Sequence, residues 1–461
     1  MSTLTCLGAA RTVTGSKHLL ETGGHRVMVD SGLFQGLKEL RERNWQALPV
    51  PARSIDAVIL THAHLDHCGY LPRLVAEGFR GRIFCTPGTR DLCTLVLPDS
   101  ARIQEEDARE ANRHGYSKHH PALPLYTENE AARALAQLQP VGYERPVPVV
   151  PGLDVEFVNA GHLLGSAYAR VRIGRSTTML FGGDLGRYSR PVLPDPSPID
   201  AADILLVEST YGDRLHEPDD GGQRLAAIVN EAAERGGKLV IPSFAVGRVE
   251  EVLYWLKHLE GAKRIPVLPV YIDSPMAAAA LQFYTDRIPE LDPDLHSAAR
   301  NLSIFCTERM TTIASPQESI DLVASGQPAI VIASSGMATG GRVLHHLAAA
   351  LPDPKNTVLF VGYQAAGTRG RQLVDATKQV RIYGRDIPVA ARIERIDSMS
   401  AHADAGEILR WLSGFSRPPA MTYLVHGEPV PLEALRAKIQ AQLGWSVHVA
   451  RYLERVEIDL R

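Results

Sequence analysis

Residues Thr61–Gly69 read THAHLDHCG and follow directly on the apolar run AVIL, Ala57–Leu60. Three histidines and an aspartate thus stand at the end of a segment patterned as a buried strand, where imidazole and carboxylate are costly unless paired or bound to metal. His62 and His64 flank Ala63, so on a tight turn both rings address one centre, while Asp66 and His67 follow on the other side of the loop. This spacing suits two neighbouring divalent ions, and zinc accepts imidazole nitrogen and carboxylate oxygen at about 2.0–2.2 Å. Four residues do not complete two such sites. Further candidates stand at other strand ends beside glycine: His162 in AGHLLGS, Asp184 in FGGDLG and His426 in LVHGE. Glycine at these positions lets the backbone come close to an ion.

The 461 residues exceed one ordinary core, so two or three domains are expected. Apolar and charged contents of 45% and 22% are those of a globular chain. A net charge of −3 provides no global field for polyanions, so any nucleic-acid contact must be local. The five cysteines are scattered and form no CxxC, as free thiols in a reducing compartment do. No signal-peptide pattern opens the chain and no apolar run approaches membrane-spanning length, so no membrane partner and a cytoplasmic location are expected.

HRVMVDSG, AVILTHAHLDH, RIFCTP, PGLDVEFVNAGH, SAYARVRIG, TTMLFGGDLG and ADILLVESTYGDR read as short strands with polar residues at their ends. GTRDLCTLVLPDSARIQEEDAREANRHG reads as helices, and 114–126 as a surface loop. After Arg214 the pattern changes to four strand–loop–helix units in a row: GKLVIPSFAVGRVEEVLYWLKHL, LPVYIDSPMAAAALQFY, PAIVIASSGMATGGRVLHHLAAAL and NTVLFVGYQAAGTRGRQLVDA. Such a series predicts a parallel sheet covered by helices. The pairs His119–His120 and His345–His346 read as solvated or packing residues.

In order along the chain, Asp30 in VMVDSG, then HAHLDH, His162 and Asp184 resemble the motifs of the metallo-β-lactamase superfamily. The resemblance implies an α/β fold, an αββα sandwich. It also implies two zinc ions per chain: His62, His64 and His162 at the first, Asp66, His67 and His426 at the second, and Asp184 bridging. Asp30 would orient the histidine loop through hydrogen bonds. More than two hundred residues separate Asp184 from His402. A block of that size with its own pattern reads as an inserted domain. This is similar to the β-CASP nucleases, whose further motifs match Glu208 in VESTYGDR, His402 in SMSAHAD and His426 in VHGE. The expected division is 1–210 and 393–461 for the metallo-β-lactamase domain, with 211–392 as the inserted β-CASP domain.

The resemblance implies a ribonuclease hydrolysing phosphodiester bonds of single-stranded RNA by a two-metal mechanism, with metals on the order of 3.5–4 Å apart. Products would be a 5′-phosphate and a 3′-hydroxyl, in RNA processing or decay. Asp66, Glu208 and His402 are the candidate catalytic residues, His402 as general acid with Glu208 keeping it protonated. The strand-to-helix loops supply candidate RNA and phosphate contacts in Ser243, Phe244, Arg248, Ser334, Ser335, Gly336, Arg342 and Arg369. Phe244 reads equally as a core residue. Only 35 residues follow His426, which leans towards the shorter endonuclease-like group, with 5′–3′ exonuclease activity and a homodimer left open. Alternatives are a small-molecule hydrolase such as a lactonase or thioesterase, a DNA-acting β-CASP nuclease, and a non-catalytic RNA-binding protein.

Overall fold

A computed structural model of the chain describes residues 2–115, 117–174, 176–218, 220–244, 246–296 and 304–459. The chain splits into two compact units. The first comprises Met1–Ser189, Asp195–Leu215 and His402–Arg461, the second Arg190–Pro194 and His216–Ala401.

Two seven-stranded sheets build the first unit. One runs in the order Arg455–Ile458, Ser2–Cys6, His18–Thr22, His25–Val29, Ala57–Ile59, Arg82–Cys85, Leu138–Pro140. The other runs Val447–Val449, Met421–Leu424, Ile204–Val207, Thr177–Phe181, Ala167–Ile173, Leu153–Asn159, Val147–Val150. Both sheets mix parallel and antiparallel pairs. In LDVEFVN, Leu153, Val155 and Phe157 alternate with less buried residues, the period of a strand with one face in the core. They meet Leu4, Leu20, Val27, Val29 and Ile59 of the first sheet in one cluster. Each such side chain contributes roughly 1.5–3 kcal/mol of burial. The outer face of the second sheet is covered by helices Ala405–Leu412 and Pro429–Leu443 through Ile408, Trp411, Leu432 and Leu435.

The last segments complete both sheets. Met421–Leu424 lies parallel to Ile204–Val207, and Arg455–Ile458 pairs antiparallel with Ser2–Cys6. Helix Ala405–Leu412 begins with a capping box in which Asp404 and Glu407 each accept the other's backbone N–H. His402 is thereby held two residues ahead of a fixed helix start.

The second unit holds a six-stranded, all-parallel sheet in the order Met310–Thr312, Val270–Asp273, Ile330–Ala333, Leu239–Pro242, Thr357–Phe360, Arg392–Arg395. The loops after Asp273, Ala333, Pro242 and Phe360 therefore leave one edge of the sheet. Beyond the four expected units there is a fifth, strand Met310–Thr312 with helix Pro316–Ala324, and a hairpin of Gln379–Ile382 and Arg385–Pro388.

Two local readings are corrected. Pro87–His114 is one helix of 28 residues with Pro98 inside it, capped by Thr86 and ended by Gly115 at φ 64°. The stretch 114–126 is not wholly a surface loop, because Tyr126 is buried with its hydroxyl 2.7 Å from Ser100 Oγ. Tyr116 lies outside the described residues. Among the described residues no helix is long and apolar enough to cross a membrane. All five cysteines are free thiols.

Candidate metal centre

The strand Ala57–Ile59 runs into a loop whose path is set by a neighbouring turn. Ser31 and Leu33 donate backbone N–H groups to the carbonyls of His67 and Leu65, at 2.7 and 2.8 Å. Between them, a Cβ on Gly32 would lie 1.6 Å from the Asp66 carbonyl oxygen, so only glycine allows this approach. The DSG turn is thus a backbone brace for HLDH. Asp30 itself sits at φ 59° and is buried. Its Oδ1 accepts the Thr61 N–H and hydroxyl, both at 2.9 Å, and its Oδ2 lies 2.7 Å from His67 Nδ1. Ser16 donates to the same Oδ2 at 3.2 Å.

Seven side chains gather where these loops meet. His62, His64, His162 and Asp184 form one group able to hold a metal ion, and Asp66, His67 and His426 form another. His64 Nδ1 lies 3.1 Å from both His62 Nε2 and His162 Nε2. Two ligands about a tetrahedral zinc at 2.0–2.1 Å stand ~3.3 Å apart, so these three nitrogens are spaced as ligands of one ion. Asp184 faces both groups. Its Oδ2 is 3.4 and 3.5 Å from His62 and His162 Nε2, and its Oδ1 is 3.2 and 3.6 Å from His67 Nε2 and His426 Nδ1. Neither oxygen of Asp184, nor Nε2 of His67, receives a hydrogen bond although all are buried. His426 Nε2 lies 3.3 Å from Asp66 Oδ2.

Charge and burial agree with cation binding. Burial pushes His64 down to about 3 and also lowers His62 and His162, so these three are neutral nitrogen donors. Burial would raise the Asp184 and Asp66 pKa values, but the surrounding imidazoles overcome it and both are held below the ordinary carboxylate range. Burial would lower His67, but Asp184 and Asp30 drive it well above its usual value. The carboxylates that favour a proton on His67 Nε2 favour a metal cation there equally, with Nδ1–H held on Asp30. Buried imidazole nitrogens and carboxylate oxygens converging at this spacing fit zinc.

His402 and Glu208 stand beside this group with Asp184. Both oxygens of the fully buried Glu208 lie 3.1 Å from His402 Nδ1. Glu208 is fixed in turn by the Leu185 N–H at 2.7 Å and the Thr210 hydroxyl at 2.5 Å. Burial opposes protonation of His402, but Glu208 and Asp184 outweigh it and raise its pKa to about 9. Thr210, Thr61 and Ser16 escaped the sequence reading, though THAHLDH and VESTYGDR contain the first two. His18 did as well: it is buried, pushed by burial to about 4, and lines one pocket with Asp30, His67 and His426.

The candidate RNA contacts lie in the second unit. Ser334 donates to Ser274 Oγ at 3.0 Å, Ser335 Oγ accepts the Thr339 N–H at 3.0 Å, and Gly336 packs against Phe244, which lies 2.7 Å from where a Cβ would be. Ser243 is fully buried. The arginines are engaged within the unit. Arg248 is buried and bonds Glu251 at 2.6 Å, and Arg190 pairs with the same carboxylate. Arg342 donates to Asp273 at 2.7 Å, and Arg369 to the carbonyls of Arg381 and Thr339 at 2.8 and 3.1 Å.

Three family models match the chain. Residues 14–79 match the metallo-β-lactamase superfamily, 249–373 the Beta-Casp domain, and 386–450 the Zn-dependent metallo-hydrolase RNA specificity domain. The chain is 38% identical over 453 residues to ribonuclease TTHA0252 of Thermus thermophilus, covering 98% of this chain and 99% of that protein. It is 32% identical over 435 residues to the transcription termination factor FttA of Methanocaldococcus jannaschii, covering 92% of this chain and 66% of that one. A crystal structure of a protein of unknown function from Enterococcus faecalis has the same fold, with a TM-score of 0.53 at 14% identity and 99% of both chains covered. The chain belongs to the β-CASP ribonuclease family of the metallo-β-lactamase superfamily.

Proposed function

We propose that the protein hydrolyses phosphodiester bonds of single-stranded RNA with two zinc ions, one held by His62, His64 and His162, the other by Asp66, His67 and His426, and Asp184 shared between them. The observation that carries this reading is Asp184, whose two oxygens face one histidine group each and accept no hydrogen bond. Zinc supplies Lewis acidity, polarising a phosphoryl oxygen and lowering the pKa of a water molecule. The protein's own share is positioning and proton transfer. Asp30 fixes the His67 tautomer through Nδ1 and braces Thr61, so the ligand loop is held before substrate arrives. Glu208 engages His402 Nδ1 and keeps the ring protonated, which assigns the transferable proton to Nε2. As water adds to phosphorus, losing one proton to solvent, and the P–O3′ bond breaks, His402 donates its proton to the departing 3′ oxygen, leaving a 5′-phosphate and a 3′-hydroxyl. The RNA specificity domain model over 386–450 includes His402 and His426, and the relative of almost equal length is named a ribonuclease, which supports RNA as substrate.

The test uses end-labelled single-stranded RNA and DNA of one sequence with wild type, Asp184→Ala and His402→Ala, with and without chelator. RNA cleavage by wild type alone, lost with chelator, is expected. Undiminished cleavage by Asp184→Ala overturns the mechanism, and equal turnover of DNA overturns the substrate.

A further inference from the structure

The hairpin of Gln379–Ile382 and Arg385–Pro388 is joined by only Tyr383 and Gly384, with Ile382 paired to Arg385. Both turn residues have positive φ, 49° and 74°. A two-residue turn of this kind favours Asn-Gly, and an aromatic residue in the left-handed region is locally unfavourable. Strain of this sort persists where surrounding structure or function holds it. Tyr383 is also 56% exposed. It is stacked on His345, with centroids 4.9 Å apart and planes at 30°, and its hydroxyl lies 3.0 Å from His345 Nε2. Burial and the nearby His346 lower the His345 pKa. His345 thus packs against the tyrosine ring, and the residue stays exposed.

The surroundings are cationic. Arg381 and Arg385 are exposed on the hairpin, and Arg369 lies close enough to act electrostatically on Tyr383. Among the described residues none of the three arginines forms an ion pair, and the carboxylate of Asp386 stands opposite Arg381 in register. Arg369 bonds at once to the Arg381 carbonyl and to those of Ala338 and Thr339, which ties the hairpin to the glycine-rich loop after Ala333. An exposed aromatic ring with a guanidinium group close by is chemistry that holds an unpaired base and a flanking phosphate.

We propose that Tyr383, backed by His345 and with Arg369 close by, is a base-stacking subsite for single-stranded RNA in the second unit. The proposal rests on the ribonuclease reading and extends it to a residue that positions substrate away from the metal ligands. The test compares Tyr383→Ala, Tyr383→Phe and Tyr383→Asn by kcat and KM on a short single-stranded oligoribonucleotide, by hydrolysis of bis(p-nitrophenyl) phosphate, and by thermal melting. Tyr383→Ala should raise KM for RNA about tenfold with kcat and bis(p-nitrophenyl) phosphate hydrolysis unchanged. Tyr383→Phe keeps the ring and should stay near the wild-type KM. Tyr383→Asn suits the turn, so it should melt at or above the wild-type temperature and yet lose RNA affinity as Tyr383→Ala does. A wild-type KM in Tyr383→Asn, or an equal loss in Tyr383→Phe, overturns the subsite. Failure of wild type to cleave RNA at all, with bis(p-nitrophenyl) phosphate still hydrolysed, overturns the ribonuclease reading and the subsite with it.

Discussion

Asp184 in the first unit and Asp273 in the second are both buried carboxylates at or just beyond the end of a strand, and their surroundings differ in kind. Asp273 accepts from Ser319 Oγ at 2.5 Å, from Arg342 at 2.7 Å and lies 2.7 Å from His346 Nε2. Its charge is met by its own unit. Asp184 has five imidazoles within 3.2–3.9 Å and no hydrogen bond to either oxygen. A buried carboxylate whose donors are all present is a structural tie; one surrounded by nitrogen atoms that do not donate to it is half of a metal site.

That difference is sharpest under substitution. Asp184→Ala should lower RNA hydrolysis by about 10³-fold or more, with loss of bound zinc and little change in the melting temperature of metal-free protein. Asp273→Ala should do the converse: it leaves Arg342 and His346 without their buried anion, costs about 3–5 kcal/mol of stability, and keeps zinc content. Chemical denaturation and metal analysis of the two variants decide this, and a shared outcome would break the contrast.

Next in size is the His402 pair. His402 must carry a proton to act as the acid, and its pKa is raised to about 9, so kcat should be level near neutrality and fall as pH rises through about 9. Removing the Glu208 charge in Glu208→Gln withdraws the favourable carboxylate, so the fall should move to lower pH while zinc is retained. An unmoved profile would remove Glu208 from the acid's environment. Asp30 touches the ligand loop but no candidate ion, and Asp30→Ala should weaken zinc binding about 10–100-fold in competition with a chelator.

Lys17 is a third kind of buried charge, and the smallest effect. It is enclosed by the rings of Phe34 and Tyr70 at 4.4 and 4.7 Å, and burial lowers its pKa from 10.5 to about 7. Between those values the unfolded chain binds a proton that the folded chain does not, so stability rises with pH from about 7 towards 10 and is flat below. Lys17→Met should remove that slope and stabilise by on the order of 1 kcal/mol at neutral pH. Parallel melting curves for the two proteins would expose the idea as wrong.

The candidate metal ligands could be picked out because each stands in a short local pattern at a strand end that needs no knowledge of the rest of the chain. The parallel sheet followed from the series of strand–loop–helix units, whereas the sandwich was implied by the family resemblance. What escaped is long-range. Arg342 after SSGMATGG has the same local pattern as a phosphate ligand, but its anion is Asp273, 69 positions earlier. Thr210 bonds its near neighbour Glu208, but folding alone brings His426 to it, 216 positions on. Strand Met310–Thr312 is three residues at a sheet edge, too short for a periodic signal. Pro98 reads as a break, yet helix Pro87–His114 runs through it because Leu92, Val96, Leu97 and Ala101 are buried on either side.

The dinuclear centre itself is tested most directly by counting zinc in the purified wild-type protein by mass spectrometry while RNA cleavage is followed during chelation and reloading. Two zinc ions per chain, with cleavage lost as they leave and restored as they return, are expected. Fewer than one zinc per chain in a protein that cleaves RNA at full rate, or cleavage that survives complete zinc removal, would contradict the reading of Asp184 and its histidines as the catalytic metal site.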